Sequence, residues 1–183
     1  MCVIDIGRAG RGKMRDLICV DFSDNETGRI DKKSAHEKGV LHRAFSVVLY
    51  HDNKILIQKR ASHKYHSGGL WANTCCSHPR TNDIIADAKI RLMEEVEIKT
   101  DSLHEIFSFV YFHKFNENLY EYEYDHVIVG EWKGDYEINL DEVSEMKWVD
   151  IDQLEKDMIQ NPQNYAVWFL SLAPKVFDYI RSK

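Results

Sequence analysis

An α+β fold with a mixed central sheet flanked by helices is predicted for this 183-residue chain by three observations. Strand-like runs crowd its middle, above all two long ones over 104–115 and 119–132. Segments with helical apolar stripes flank them, over 84–98, 151–160 and 164–180. No internal repeat or low-complexity stretch interrupts the pattern, and the length suits one domain with one substantial core.

The elements follow in order. Residues 1–16 are polar, contain glycine and carry Arg8, Arg11, Lys13 and Arg15, which reads as a disordered tail ahead of a single domain over 17–183. A first strand over 17–22 is closed by Ser23-Asp24-Asn25-Glu26 and Gly28, all turn formers. A strand over 44–50 turns at His51-Asp52-Asn53 into a partner over 54–60. The polar loop 61–69 carries Lys64 and the Gly68-Gly69 pair. Residues 71–79, Trp-Ala-Asn-Thr-Cys-Cys-Ser-His-Pro, read as extended, with Pro79 ending the pairing because it lacks a donor. Ile84, Ile85, Ala88, Leu92 and Val96 mark one face of a helix. The two long strands meet at an Asn-Glu-Asn turn. A short strand over 145–150 leads into a helix capped by Asp150. Pro174 should kink or break the last helix.

Composition excludes several classes. Hydrophobic residues at 44% with 30% charged fit a soluble globular protein. A net charge of −6 without a long basic run argues against a general nucleic-acid binder. No apolar run approaches a membrane span, and no signal-peptide core is visible. Four cysteines, two of them adjacent, make no disulfide framework and point to a reducing cytoplasm. Nine histidines are many for this length and hint at metal chemistry.

Two constellations carry that hint further. On extended backbone Cys76 and His78 share a face and Cys75 points the other way. A bridge between adjacent thiols would need a strained ring, so the two cysteines have different jobs. Taken alone, such a pair is most often a buried cysteine beside a surface histidine. The second constellation is Tyr120-Glu121-Tyr122-Glu123-Tyr124-Asp125-His126. Its three carboxylates share one face of a strand that runs on into Val127, Ile128 and Val129. Buried carboxylates are costly unless paired, protonated or metal-bound. His36, His42 and His78 with Glu121 and Glu123 make a nitrogen–oxygen set suited to a six-coordinate divalent ion.

Ala35-His36, Leu41-His42-Arg43-Ala44-Phe45-Ser46, Asn73-Thr74-Cys75-Cys76-Ser77-His78-Pro79 and Glu121-Tyr122-Glu123 together resemble the type I isopentenyl-diphosphate isomerases. These are Nudix-fold enzymes that interconvert isopentenyl and dimethylallyl diphosphate. The resemblance runs from about Leu17 to the final helix, and the two motifs are specific only in combination. It implies a Nudix-like fold with Cys76 and Glu123 as catalytic groups. It implies metal ligands at His36, His42, His78, Glu121 and Glu123, for Mn²⁺, Mg²⁺ or Zn²⁺. Tyr111 falls where a tyrosine hydrogen-bonds the catalytic glutamate, and Trp168 where an aromatic lies against the hydrocarbon. Lys32, Arg60, Lys64 and Arg91 fall on diphosphate-contacting positions, and Glu95 on the carboxylate serving a second Mg²⁺ carried by the substrate. The implied partner is a small diphosphate, with no nucleic acid or membrane, and the implied state is a monomer or weak homodimer.

One departure concerns the helix that resembles the family's box, which opens on Arg-Glu and ends Glu-Glu-x-Gly. Here Ile90-Arg91 replaces the leading pair, and Glu97 stands where glycine is usual. That erosion weakens the runner-up, a Nudix hydrolase of a nucleoside diphosphate derivative. A silent metal-binding scaffold would have no use for Cys76, Tyr111 and Trp168 together.

The implied chemistry accounts for the residue list. Moving the double bond puts a proton on C4 and takes one from C2, through or near a tertiary carbocation. An alkene is a very poor base, so the acid must be tightly placed and shielded from water. Cys76 and Glu123 would be the two proton carriers, and the face of Trp168 would stabilise the cation through its quadrupole. Arg60 and Lys64, flanking the glycine pair, should hold the diphosphate and take no part in the chemistry.

Overall fold

A computed structural model describes residues 16–183. The tail expected over 1–16 lies outside the described residues up to 15, and Asp16 is the first residue of a strand.

Nine strands and four helices follow one another: β1 (Asp16–Val20), β2 (Glu26–Asp31), α1 (Lys32–Lys38), β3 (His42–His51), β4 (Lys54–Arg60), β5 (Trp71–Ala72), β6 (Cys75–Ser77), α2 (Ile84–Val96), β7 (His104–Asn116), β8 (Leu119–Glu131), β9 (Val143–Asp150), α3 (Ile151–Gln160) and α4 (Val167–Arg181). β3, buried from His42 to Tyr50, is the hub. Its parallel partner β8 runs beside it from His42↔Glu123 to Tyr50↔Glu131. Its other edge is shared in turn by β1 at His42, by β6 at Phe45–Val47 and by β4 at Tyr50 and His51. After two pairs β4 leaves β3 and carries β9 and β5 instead. The divergence opens a cleft. The sheet is mixed, as expected.

Apolar side chains cover both faces. Val48, Ile55, Ile57, Val127 and Val129 pack under α3 and α4, against Leu154, Phe169, Leu172 and Phe177. On the opposite face Phe45, Val47, Leu49 and Ile128 pack against Ala88, Leu92 and Val96 of α2. Alternation along a strand thus feeds two separate cores.

The structure differs from the sequence reading at three places. β2 occupies residues read as turn. It is an exposed edge strand, so no buried face imposes an apolar alternation on Glu-Thr-Gly-Arg-Ile-Asp. α1 was not read at all. Seven residues are too few for a periodic stripe, and its marks are the caps. Asp31 accepts from the Ser34 N–H at 3.0 Å, and Gly39 closes the helix at φ 62. Pro174 does not break α4: the helix continues to Arg181. The missing donor costs one ladder bond, while seven buried side chains along α4 hold it against the sheet.

The end of α2 accommodates the eroded box. Glu97 takes the left-handed cap at φ 54, and its N–H reaches the Leu92 carbonyl. Glu95 stays buried two residues earlier.

Candidate active site

The sheet brings the ligand-type side chains to one end of β3. His42 is the register partner of Glu123 in the parallel ladder, and Tyr111 faces Glu123 from β7. Across the other edge Ser46 pairs with Cys76, which sets His78 two residues further on, just past the end of β6. His36 approaches from α1, buried beneath. Along β8 the alternation is as expected: Glu121, Glu123 and Asp125 are buried, while Tyr120, Tyr122 and Tyr124 are half-buried.

The imidazoles are pre-set as lone-pair donors. His36 Nδ1 lies 2.7 Å from the Lys32 carbonyl, and His42 Nδ1 lies 2.7 Å from the Val40 carbonyl. A carbonyl only accepts, so both Nδ1 atoms carry the proton and both Nε2 atoms are bare. His42 Nε2 then faces His78 Nε2 at 3.2 Å, and His78 Nε2 lies 3.0 Å from Glu123 Oε1. His36 Nε2 is buried without a partner. One ligand atom from each of His36, His42, His78 and Glu123 lies within 4.8 Å of the others, and His36, Glu121 and His66 form a second such group. Bare nitrogens converging on a carboxylate in a closed space fit a divalent cation. Burial pushes His36 down to about 4 and His78 down to about 3, so both stay neutral and competent to ligate. Burial and then the neighbouring Glu123 push the Glu121 carboxyl well up. Burial also presses upward on Glu123, while His42 and His78, wherever one of them turns an N–H toward it, pull that carboxyl well down. Tyr111 Oη lies 2.6 Å from Glu123 Oε2 and 3.0 Å from Glu121 Oε2, the contact implied by resemblance.

Cys75 and Cys76 diverge as alternation requires. Cys75 is buried in the core under α2, whereas Cys76 borders the cleft. Burial pushes the Cys76 thiol up to about 12, with the Arg60 guanidinium pulling the other way. Trp168 sits in the first turn of α4 and donates its Nε1–H to Asn73 Oδ1 at 3.1 Å. Asn73 in turn donates to the carbonyls of Val47 and Cys75, so one amide fixes the indole, β3 and the cysteine segment together.

The basic residues reach the same cleft. Arg60 does more than its expected diphosphate role requires, since it also touches Cys76 and lies over the Trp168 ring, 5.1 Å from its centroid. Lys64 pairs with Glu142, and Arg91 pairs with Glu94, Glu95 and Glu142. Lys32 lines the cleft from the start of α1, its ammonium 5.7 Å from the Tyr65 ring centroid. Gly68 lets the loop fold tightly: a Cβ there would meet the Ser62 carbonyl at 2.5 Å. Among the cleft residues that escaped the sequence reading are two that could ligate or pair. Glu142 lies in an irregular segment, and His66 in a loop read only as polar. The one available signal for His66 was a histidine two residues beyond a cleft lysine.

Known proteins share both fold and sequence. The family described as NUDIX domain matches residues 40–169. The isopentenyl-diphosphate Delta-isomerase 2 of Aromatoleum aromaticum is 44% identical over 164 residues, covering 88% of this chain and 86% of that protein. The isopentenyl-diphosphate Delta-isomerase 2 of Photorhabdus laumondii is 47% identical over 156 residues, covering 84% and 87%. The crystal structure of DR0079 from Deinococcus radiodurans superposes with a TM-score of 0.71 at 15% identity, over 87% of this chain and 98% of that one, which speaks to the fold alone. With a Nudix sheet, this extent of identity and the conjunction of Cys76, His78, Glu121 and Glu123 in one cleft, the chain belongs to the isopentenyl-diphosphate Delta-isomerases of the Nudix family.

Proposed function

We infer that the protein interconverts isopentenyl and dimethylallyl diphosphate by moving one carbon–carbon double bond, in isoprenoid precursor synthesis. The observation that carries this reading is the placement of Cys76 and Glu123 on strands flanking β3, both bordering a cleft walled by Trp168. Each is a proton carrier, and a flat allylic unit between them can gain a proton on one side and lose one on the other. Because the reaction runs both ways, each carrier is acid in one direction and base in the other.

The chain's own residues supply the rest. Tyr111 orients the Glu123 carboxyl through Oε2. Trp168 presents a π-face to positive charge and excludes water. Lys32, Arg60, Lys64 and Arg91 hold the diphosphate, with Glu95 set to hold its magnesium. Lys64 and Arg91 must first exchange Glu142 for phosphate oxygens. His36, His42, His78, Glu121 and Glu123 would hold a divalent ion, Mn²⁺, Mg²⁺ or Zn²⁺, which when bound polarises and fixes the Glu123 carboxyl. We assign the enzyme to the cytoplasm as a monomer or weak homodimer. Among the described residues no helix is long and apolar enough to cross a membrane.

The test is isopentenyl diphosphate with Mg²⁺, the allylic product being read out by its acid lability. Intact diphosphate in the product supports the isomerase. Released phosphate would mark a hydrolase, and metal binding without turnover a silent protein.

A further inference from the structure

Two groups of ligand-type atoms meet at His36. His42, His78 and Glu123 converge on it from one side, His66 and Glu121 from the other. His66, in the loop between β4 and β5, is the one imidazole of the five residues that the family motifs do not supply. The His66 and Glu121 side chains are only 6% and 4% exposed, with His66 Nε2 3.2 Å from Glu121 Oε1. That approach lacks the alignment of a hydrogen bond, which leaves both atoms able to turn a lone pair toward a common third point. His36 Nε2 is buried with no partner among the described residues. It is bare because Nδ1 faces the Lys32 carbonyl at 2.7 Å.

The spacings match those around a cation. Neighbouring ligands of a six-coordinate ion with bonds of ~2.1 Å stand about 3.0 Å apart. His42 Nε2, His78 Nε2 and Glu123 Oε1 lie 3.2, 3.0 and 3.6 Å from one another, which is one face of an octahedron without help from His36. The 3.2 Å between His66 and Glu121 is an edge of the same kind. His36 Nε2 has a single lone pair and can serve only one ion. The six side chains therefore divide into two sets, each of two imidazoles and one carboxylate. Such a donor set favours Mn²⁺, Co²⁺ or Zn²⁺ over Mg²⁺ and Ca²⁺.

We propose that the cleft binds a second divalent transition-metal ion, held by His36, His66 and Glu121 beside the first. The proposal rests on the metal centre given under Proposed function. A lone ion draws on that five-residue set; the second ion takes His36 and Glu121 from it and leaves the first with His42, His78 and Glu123. It is separate from the magnesium that arrives with the substrate at Glu95. His66 and Glu121 line the cleft, so the second ion is open to it. Lys32 and Arg60 line the same cleft, and their charge makes the second ion the weaker one.

The experiment titrates Mn²⁺ into chelator-stripped full-length protein without substrate, reading free and bound ion by EPR, in the wild type, His66→Phe and His66→Asn. The His66 ring lies 5.1 Å from Phe115 and 6.0 Å from Trp168, centroid to centroid, packing that Phe retains. We expect the wild type to bind two ions per chain, the second broadening the signal of the first because the two are neighbours. Both variants should keep the first ion at near wild-type affinity. They should lose the second by more than about 100-fold, the upper end for loss of an outer-shell partner alone. Melting temperatures of the stripped proteins should be nearly unchanged. A wild type that saturates at one ion would overturn the proposal. So would a second ion bound equally well by both variants, which would place it elsewhere. Loss of the first ion together with the second would put His66 in a single centre and overturn it too. A wild type that binds no Mn²⁺ at all would overturn the ligand set beneath the proposal, a result distinct from failure at His66.

Discussion

Arg60 Nη1 lies 3.6 Å from Cys76 Sγ, so one guanidinium touches the proposed proton carrier while its carbon lies over the Trp168 indole. A residue that only held the diphosphate would have no such contact. Arg60→Ala should therefore lower kcat as well as raise KM, whereas Lys64→Ala should act mainly on KM, because its partner is Glu142 at the rim. Steady-state kinetics on both variants decide it. An Arg60 variant altered in KM alone would confine that residue to binding.

The two adjacent thiols should behave as different groups. Cys76→Ala should cost about 10²- to 10⁴-fold in turnover, the usual contribution of a positioned acid–base group. Cys75→Ala should retain most activity and lose about 1 kcal/mol of stability, since its side chain fills core space beside Val47 and Leu92. Turnover and denaturant midpoints of the two variants, measured together, separate the roles.

Thiol chemistry gives the pH dependence. Burial raises the Cys76 thiol to about 12, so the neutral form dominates at pH 8 and only a small fraction is thiolate. Alkylation at Cys76, followed peptide by peptide in stripped protein, should be slow at pH 8 and climb steadily as pH rises toward 12. Arg60 favours the thiolate, so Arg60→Ala should push the thiol higher still and slow alkylation further at every pH. Faster labelling in that variant would contradict the contact.

Glu97 occupies a left-handed cap at φ 54, where a side chain costs roughly 1–2 kcal/mol. Glu97→Gly removes that cost but adds unfolded-chain entropy, leaving a net gain of about 1 kcal/mol. For a chain of this size the melting temperature should rise about 2–4 °C, with turnover unchanged.

Trp168 can be tested by substituting the ring in two ways. Trp168→Phe strips Asn73 Oδ1 of its donor and should cost about 1–3 kcal/mol of stability. Trp168→Leu should lose that and the π-face as well. At temperatures where both are folded, the Leu variant should be slower by roughly 0.5–2 kcal/mol in the barrier. Equal rates at matched folding would make the indole a packing group.

Which parts of the structure were legible beforehand follows a physical line. β3, β4, β7 and β8 announce themselves because buried strands need apolar or alternating side chains, and Asp150 marks α3 because a cap has a chemistry of its own. β2 and α1 were missed because one is exposed and the other too short to show a period. Within the site, His36, His42, His78 and Glu123 come from short motifs, and the fold brings their ligand atoms together, whereas Glu121 falls in a neighbouring group with His36 and His66. His66 and Glu142 arrive through loop geometry, which no spacing encodes. The second job of Arg60 was invisible for the same reason: its contacts are set by where β4 leaves β3.

The hub position of β3 has a consequence for how the site can vary. Cys76 and Glu123 hang from strands on its two edges, opposite Ser46 and His42 respectively, so two hydrogen-bond ladders across and four residues along β3 set the distance between them, roughly 16 Å from backbone to backbone. Directly between them β3 offers only the small side chains of Ala44 and Ser46, which floor the cleft. The gap between the two proposed proton carriers therefore changes in whole strands across the sheet and whole register steps along it. It cannot be widened by a fraction for a bulkier alkene, only floored higher or lower by what stands at 44 and 46. A single methyl group there is the smallest adjustment of substrate size that this architecture permits.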